Sequence, residues 1–204
     1  MGILSANILV PFLAVFVLIA LPSGRTNLIR AIAVGTGSLS FLLSAIAFFS
    51  YDYNEGGNQL RESYEWLPNI GVGLTLGIDG ISAVLILLNG FIFLAGIVIS
   101  WSVAPRNKDF FILLFLLAAG VYGTFAVLDL FFLFFFYELA VVPMFLLIGI
   151  WGSSSDFGHF ARTKEYGAMK LVLYLTAGSM LIWLAIIAIF VEAGLGTFNM
   201  ELLA

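Results

Sequence analysis

Residues 128–152 read LDLFFLFFFYELAVVPMFLLIGIWG, and the reading of this run decides the fold. From Leu130 to Trp151 its one carboxylate is Glu138, preceded by five phenylalanines in seven residues and followed by Leu, Val and Ile. About 20 apolar residues make a helix long enough to cross the ~30 Å hydrocarbon core of a bilayer. A helix on a water-facing surface would need a polar face, which this run does not have. Five other stretches have the same character, so spans are expected at about 3–21, 28–50, 81–101, 110–127, 130–151 and 167–191.

The composition agrees. Of 204 residues 62% are hydrophobic and 10% charged, against roughly 45–50% and about 25% in soluble domains. Two-residue alternation is not seen in the apolar stretches, which sets aside a β-barrel and leaves helices as the way to satisfy every backbone group in lipid. The expectation is an all-α integral membrane protein, a single membrane domain of six transmembrane helices over residues 1–204. The absence of cysteine and the single histidine, His159, exclude disulfides, thiol catalysis, thiolate metal sites and a histidine-rich metal centre. Eight Lys and Arg scattered over many segments make no nucleic-acid surface.

Charge in the connections gives an orientation. The loops after the first, third and fifth spans carry Arg25 and Arg30, Arg106 and Lys108, and Arg162 and Lys164. The other side receives Asp52, Glu55, Glu62, Glu65, Asp129, Glu192 and Glu201, with Arg61 as its one cation. Basic loops stay in the cytoplasm, so both termini are expected on the outer side. Trp66, Trp101 and Trp151 fall near the expected interfaces. The first span has no basic residue before it and is long for a signal h-region, so it reads as a span.

Several smaller readings accompany this frame. The loop Tyr51–Ile70 is long enough to cover the bundle as a short helix or a hairpin. Asp79, ahead of the third span, is placed to cap its start or to sit at the outer mouth of a pathway. Spans four and five, separated by Leu128 and Asp129, form a tight antiparallel pair. His159 reads as a solvated loop residue, with a proton-collecting role at the cytoplasmic surface as the alternative. Asn89 is expected to hydrogen-bond across helices, and Gly35, Gly37, Gly120 and Gly123 to mark close packing. Residues 192–204 look like the start of a connection rather than a span.

Two ionisable groups are intramembrane, and such groups are costly enough to be functional by default. Glu138 lies eight residues inside Leu130, about 12 Å deep and close to the midplane. Its neighbours one turn away are Phe134, Phe135, Val141 and Val142, none of which can hydrogen-bond it. A partner must come from another helix or from water. Pro143, lacking an N–H, leaves the Leu139 carbonyl without its intrahelical donor, a helix break that can support the acid beside it or be an ordinary proline kink. Lys170 lies about 4.5 Å inside a helix beginning at Gly167. Its stem can snorkel to the interface. The stripe Gly167, Tyr174, Ala177, Gly178 favours instead a packed face turned into the bundle. In either case about 15 Å along the membrane normal separates Lys170 from Glu138.

LGIDGIS before the third span, DLFFLFFFYELAVVPMFLLIGIWG and EYGAMKLVLYLTAGSM together resemble the antiporter-like proton-pumping subunit M, or chain 4, of NADH:quinone oxidoreductase, complex I. The likeness runs from the first span to about residue 191. Mrp-type cation/proton antiporter subunits share the broad pattern, while Pro143–Met144 after the glutamate favours subunit M. The resemblance implies that Glu138 is the proton-translocating glutamate of the fifth helix and that Lys170 matches a less central lysine of the sixth. It implies no cofactor in this chain, with flavin, iron–sulfur clusters and quinone carried by partner subunits. The partners would be other membrane subunits of complex I, including sister antiporter-like subunits, together with the lipid bilayer. The location would be an energy-transducing membrane, the bacterial inner membrane in the first instance. Family members are more than twice as long, and their seventh-helix lysine and second half-channel have no counterpart before Ala204, so the chain is expected to be the N-terminal part of such a subunit. Three readings stand: a proton-translocating complex I subunit, an Mrp-type antiporter subunit, and a non-transporting scaffold in which Glu138 ties helices together.

Overall fold

A computed structural model describes residues 2–67, 71–103, 106–156 and 161–203. His159 lies outside the described residues. Six helices are long and apolar enough to cross a membrane: α1 (Ile3–Ala20), α2 (Thr26–Ser50), α3 (Gly80–Ile99), α4 (Asn107–Ala126), α5 (Leu130–Trp151) and α6 (Lys164–Ala193), and the chain is a multi-pass membrane protein. α6 is longer at both ends than the expected apolar stretch, and a short α7 (Met200–Leu203) follows it.

The fold is not all-α. Gln59–Leu67 (β1) and Val72–Ile78 (β2) pair as an antiparallel hairpin, with Tyr64 opposite Leu74 and Glu62 opposite Leu76. β3 (Ser155–Asp156) and β4 (Ala161–Arg162) form a second, two-residue pairing. Among its described residues the loop Tyr51–Ile70 supplies only β1 and not a helix or a hairpin by itself; its partner β2 lies past Ile70 in the lead-in to α3, and the physical reason for the pairing lies in β2. Outside the spans a strand can bury one edge and one face while the rest stays wet. Leu76 and Ile78 are fully buried against Leu4, Ile8, Ala83 and Val127.

The link between α4 and α5 is extended rather than a turn. Leu128 N–H donates to the Thr75 carbonyl at 2.8 Å on one side, and its own carbonyl accepts from Met200 N–H at 2.9 Å on the other. Leu130 N–H reaches the Phe198 carbonyl at 2.9 Å. The hairpin, the α4–α5 link and the segment after α6 therefore form one hydrogen-bonded cover at one end of the bundle.

Beneath it α4 is the central helix, packed against α1, α3 and α5, while α2 lies against α1 and α3 and α6 packs chiefly on α5. Gly120 and Gly123 of α4 are points of close approach: a Cβ at Gly120 would lie 2.9 Å from Ala140 N, and one at Gly123 would enter the Phe136 ring. Gly37 meets Ile97 in the same way, but Gly35 faces open space and is not a packing point.

Candidate functional site

Asp129 sets the start of α5. Its Oδ1 accepts from the N–H groups of Phe131 (3.0 Å) and Phe132 (3.1 Å), an N-cap for the apolar run that follows. From there the helix continues unbroken through Pro143 to Trp151. Pro143 thus does not interrupt the helix, and it leaves the Leu139 carbonyl without an intrahelical donor.

Glu138 lies two turns into this helix. Its Oε1 is sealed from the surroundings and has no hydrogen-bond partner among the described residues. The side chain's direction follows from its neighbours on α5. Phe134 packs at a tilt against Trp183 of α6 with ring centroids 4.8 Å apart, and a Cβ at Gly149 would lie 3.7 Å from Ala168 of α6. At about 100° per residue, position 138 falls between positions 134 and 149 in azimuth, so Glu138 lies on the stripe that faces α6. On its flank Phe135 and Val142 are about half exposed.

Beside that flank, between α1, α4, α5 and the hairpin, is a cleft of about 340 Å³ lined by Ile8, Phe12, Leu76, Phe135, Phe136 and Leu139 among others. Its walls are almost wholly apolar and offer Glu138 no polar partner.

Lys170 is not turned into the bundle. The α6 stripe that meets α5 is Ala168, Ser179, Trp183 and Ile186. Lys170 lies about 200° around the helix from Ala168, on an exposed face. Its ammonium sits between the rings of Tyr166 and Tyr174, 6.0 and 5.9 Å from their centroids, a cation–π arrangement. The small-residue stripe, read as a packed face turned into the bundle, is bare here, since a Cβ at Gly167 or Gly178 would meet nothing within 4 Å. What fails is the inference that the rest of this bundle packs on it. Glu138 and Lys170 thus occupy different faces, and the structure does not bring them together.

Other polar groups were missed or misread from sequence. Asn89 does not bond across helices through its amide nitrogen, which is buried with no partner among the described residues. A buried polar group forms instead where α1, α2 and α4 meet. Ser44 Oγ lies 2.8 Å from the Ser40 carbonyl, 3.1 Å from Tyr122 Oη and 3.4 Å from Asn7 Oδ1. Gly90 makes room for it, since a Cβ there would stand 2.8 Å from Ser44 Oγ.

Acids cap helix starts at the hairpin end. Asp79 accepts from Ser82 N–H at 2.7 Å, the capping role its position indicated, and this bond holds its carboxyl below the usual range. Glu62 on β1 reaches across to α1, accepting from the N–H groups of Gly2 (3.0 Å) and Leu4 (2.8 Å) and from the Ser5 hydroxyl. At the opposite end Lys108 donates to the Ile19 and Leu21 carbonyls that end α1, and Lys164 to the Ile150 carbonyl in the last turn of α5.

Fold and site together define a class: a multi-pass bundle of six apolar helices with, in mid-span, an acid that has no hydrogen-bond partner among the described residues. The fold matches a chain of respiratory complex I from Thermus thermophilus with TM-score 0.80 and 25% identity, covering 98% of this chain and 38% of that one. It also matches a chain of the Mrp complex from Dietzia sp. with TM-score 0.72 and 20% identity, over 97% of this chain and 20% of that one, a likeness of fold alone. More particularly, the chain is homologous to the chloroplastic NAD(P)H-quinone oxidoreductase chain 4 of Chara vulgaris, 34% identical over 203 residues. That alignment covers 98% of this chain and 40% of the relative, so the chain spans about two fifths of the relative's length. No family model matches.

Proposed function

We propose that this chain supplies part of a proton-translocating membrane subunit of a complex I type quinone oxidoreductase, with Glu138 as the intramembrane proton carrier. The observation that carries the reading is the Glu138 carboxyl, sealed on one oxygen and without a hydrogen-bond partner among the described residues, in the middle of a membrane helix of a chain similar to chain 4. A carboxyl held by no standing hydrogen bond at this depth has no structural bond to break when it takes up and passes on a proton, and an ionisable group this deep is functional by default. The Leu139 carbonyl freed by Pro143 gives the site an acceptor for a hydrogen-bonded path. Flavin, iron–sulfur clusters and quinone belong to partner subunits, and Lys170, on the exposed face of α6, is placed to act toward a neighbouring element rather than toward Glu138 directly. The hairpin end is the outer side and the membrane is an energy-transducing one, either bacterial or of an organelle.

Glu138→Gln in the complete subunit, assembled in its complex, tests this. Proton translocation per electron measured in membrane vesicles is expected to fall sharply while quinone reduction by the uncoupled complex persists. Unchanged stoichiometry in that variant overturns the assignment. The antiporter reading rests on shared fold at 20% identity, and a scaffold role predicts that Glu138→Gln leaves transport intact.

A further inference from the structure

The α5–α6 seam carries one more polar side chain at the level of Glu138. The two helices run antiparallel, and two contacts fix their register. Phe134 meets Trp183; fifteen residues on along α5, Gly149 meets Ala168, fifteen residues back along α6. One turn from the first pair, position 138 therefore stands level with position 179. The azimuths agree. Ser179 falls between Ala168 and Trp183 around α6, just as Glu138 falls between Gly149 and Phe134 around α5, each on the stripe facing the other helix. Ser179 is 2% exposed, one of three buried residues in a helix that is otherwise largely bare.

The surroundings sharpen this pairing. α4 and α6 are the helices packed against α5. Of the ionisable residues of α4, Lys108 and Asp109 lie at its far end, and Tyr122 is engaged with Ser44. On α6, Lys164 and Glu165 are in the first turn, Glu192 is near the last, and Lys170, Tyr166 and Tyr174 are exposed on other faces. Ser179 Oγ donates at 3.1 Å to the Thr176 carbonyl one turn back, which leaves its lone pairs open.

Glu138 Oε1 and Ser179 Oγ are not hydrogen-bonded to each other in the structure; we infer that they engage during proton transfer, with the Ser179 hydroxyl as the positioning partner of Glu138, an inference that rests on the proton-carrier reading. With its own proton on the Thr176 carbonyl, Oγ accepts from the protonated Glu138 carboxyl. When the carboxyl is ionised, rotation of the Ser179 hydroxyl turns the same proton toward it. One oxygen thus serves both protonation states and no proton is gained or lost in the exchange. The class of group required at 179 is a hydroxyl, so threonine serves and alanine does not.

The test uses the complete subunit in its complex, with variants Ser179→Ala, Ser179→Thr and Glu138→Gln. The infrared C=O band of the Glu138 carboxyl is assigned by its loss in Glu138→Gln. Ser179→Ala is expected to move that band to higher frequency, as for a carboxyl freed of a hydrogen bond, and to slow proton translocation about tenfold, the effect of one hydrogen bond to a charged group. Ser179→Thr is expected to restore both. An unmoved band in Ser179→Ala overturns the inference, as does equal loss of transport in the alanine and threonine variants. Failure of the carrier reading is seen separately, as unchanged stoichiometry in Glu138→Gln whatever the band does in Ser179→Ala.

Discussion

Asp129 shows how much one side chain can settle at this end of the molecule. It is 1% exposed, yet it is a carboxylate. Burial pushes its carboxyl above the ordinary aspartate range, while hydrogen bonds from the N–H groups of Phe132, Phe131 and Gly73 pull the other way. Because the group works through accepted backbone bonds, its charge is dispensable and its acceptor is not. Asp129→Ala is expected to lower the stability of the assembled subunit by about 1–2 kcal/mol, the usual cost of losing an N-cap. Asp129→Asn should retain most of it, since asparagine caps as well as aspartate. Thermal unfolding in detergent, wild type against both variants, checks the order. At this scale sequence spacing was informative about Glu138, because the residues one turn away on its own helix are all hydrocarbon. It was uninformative about Ser179, because what makes that serine notable is the register between two helices. For Lys170 the stripe of small residues was legible but its partner was not: a packing face does not say which element will cover it.

Among the elements, the hairpin depends on a contact no local pattern reveals. Glu62 of β1 binds the first turn of α1, sixty residues earlier in sequence, where unsatisfied N–H groups and the helix dipole favour a negative charge. Burial raises the Glu62 carboxyl, but bonds from the Ser5 hydroxyl, the Leu4 and Ser5 amides and Tyr64 outweigh it, and the net shift is downward from 4.5. A carboxyl with a depressed folded-state pKa stabilises the fold fully above the unfolded value and loses that contribution as pH falls through the folded one. Hydrogen-exchange protection of β1 and of the start of α1 is therefore expected to be flat above about pH 4.5 and to decline below it. In Glu62→Gln that decline should be absent. The interior makes a matching demand on α4 and α5. Gly123→Ala would drive a methyl into the Phe136 ring, and overpacking of this kind costs about 1–3 kcal/mol, visible as a lowered melting temperature. The six helices were legible because length and apolarity alone specify them. The hairpin was left between two alternatives because β2, read as GVGLTLGI, passes for a lead-in to α3 until the buried Leu76 and Ile78 show which face it turns to the bundle.

Across the whole molecule the segregation of charge has two physical sources that reinforce each other. α1, α3 and α5 begin at the hairpin end, and their N-termini are met there by Glu62, Asp79 and Asp129. At the other end, Lys108 and Lys164 satisfy carbonyls at the close of α1 and α5. Acids at helix starts and cations at helix ends complement the helix dipoles, and the same sorting of Lys and Arg to one face directs membrane insertion. Capping alone would be satisfied in either orientation, because it refers each charge to a helix end and not to a compartment. Only the excess of basic residues in the loops opposite the hairpin distinguishes the two, and the proposal that those loops lie inside rests on it. The chain has no cysteine, so single cysteines can report the answer. Asn54 and Ser153 are exposed at opposite ends of the bundle. In the complete subunit, Asn54→Cys is expected to react with a membrane-impermeant maleimide in intact cells, and Ser153→Cys only after the membrane is opened. The reverse pattern would put the hairpin, the Glu62 and Asp129 caps and the extended α4–α5 link on the cytoplasmic side, and a proton taken up from that side would then have to reach Glu138 from beneath the hairpin.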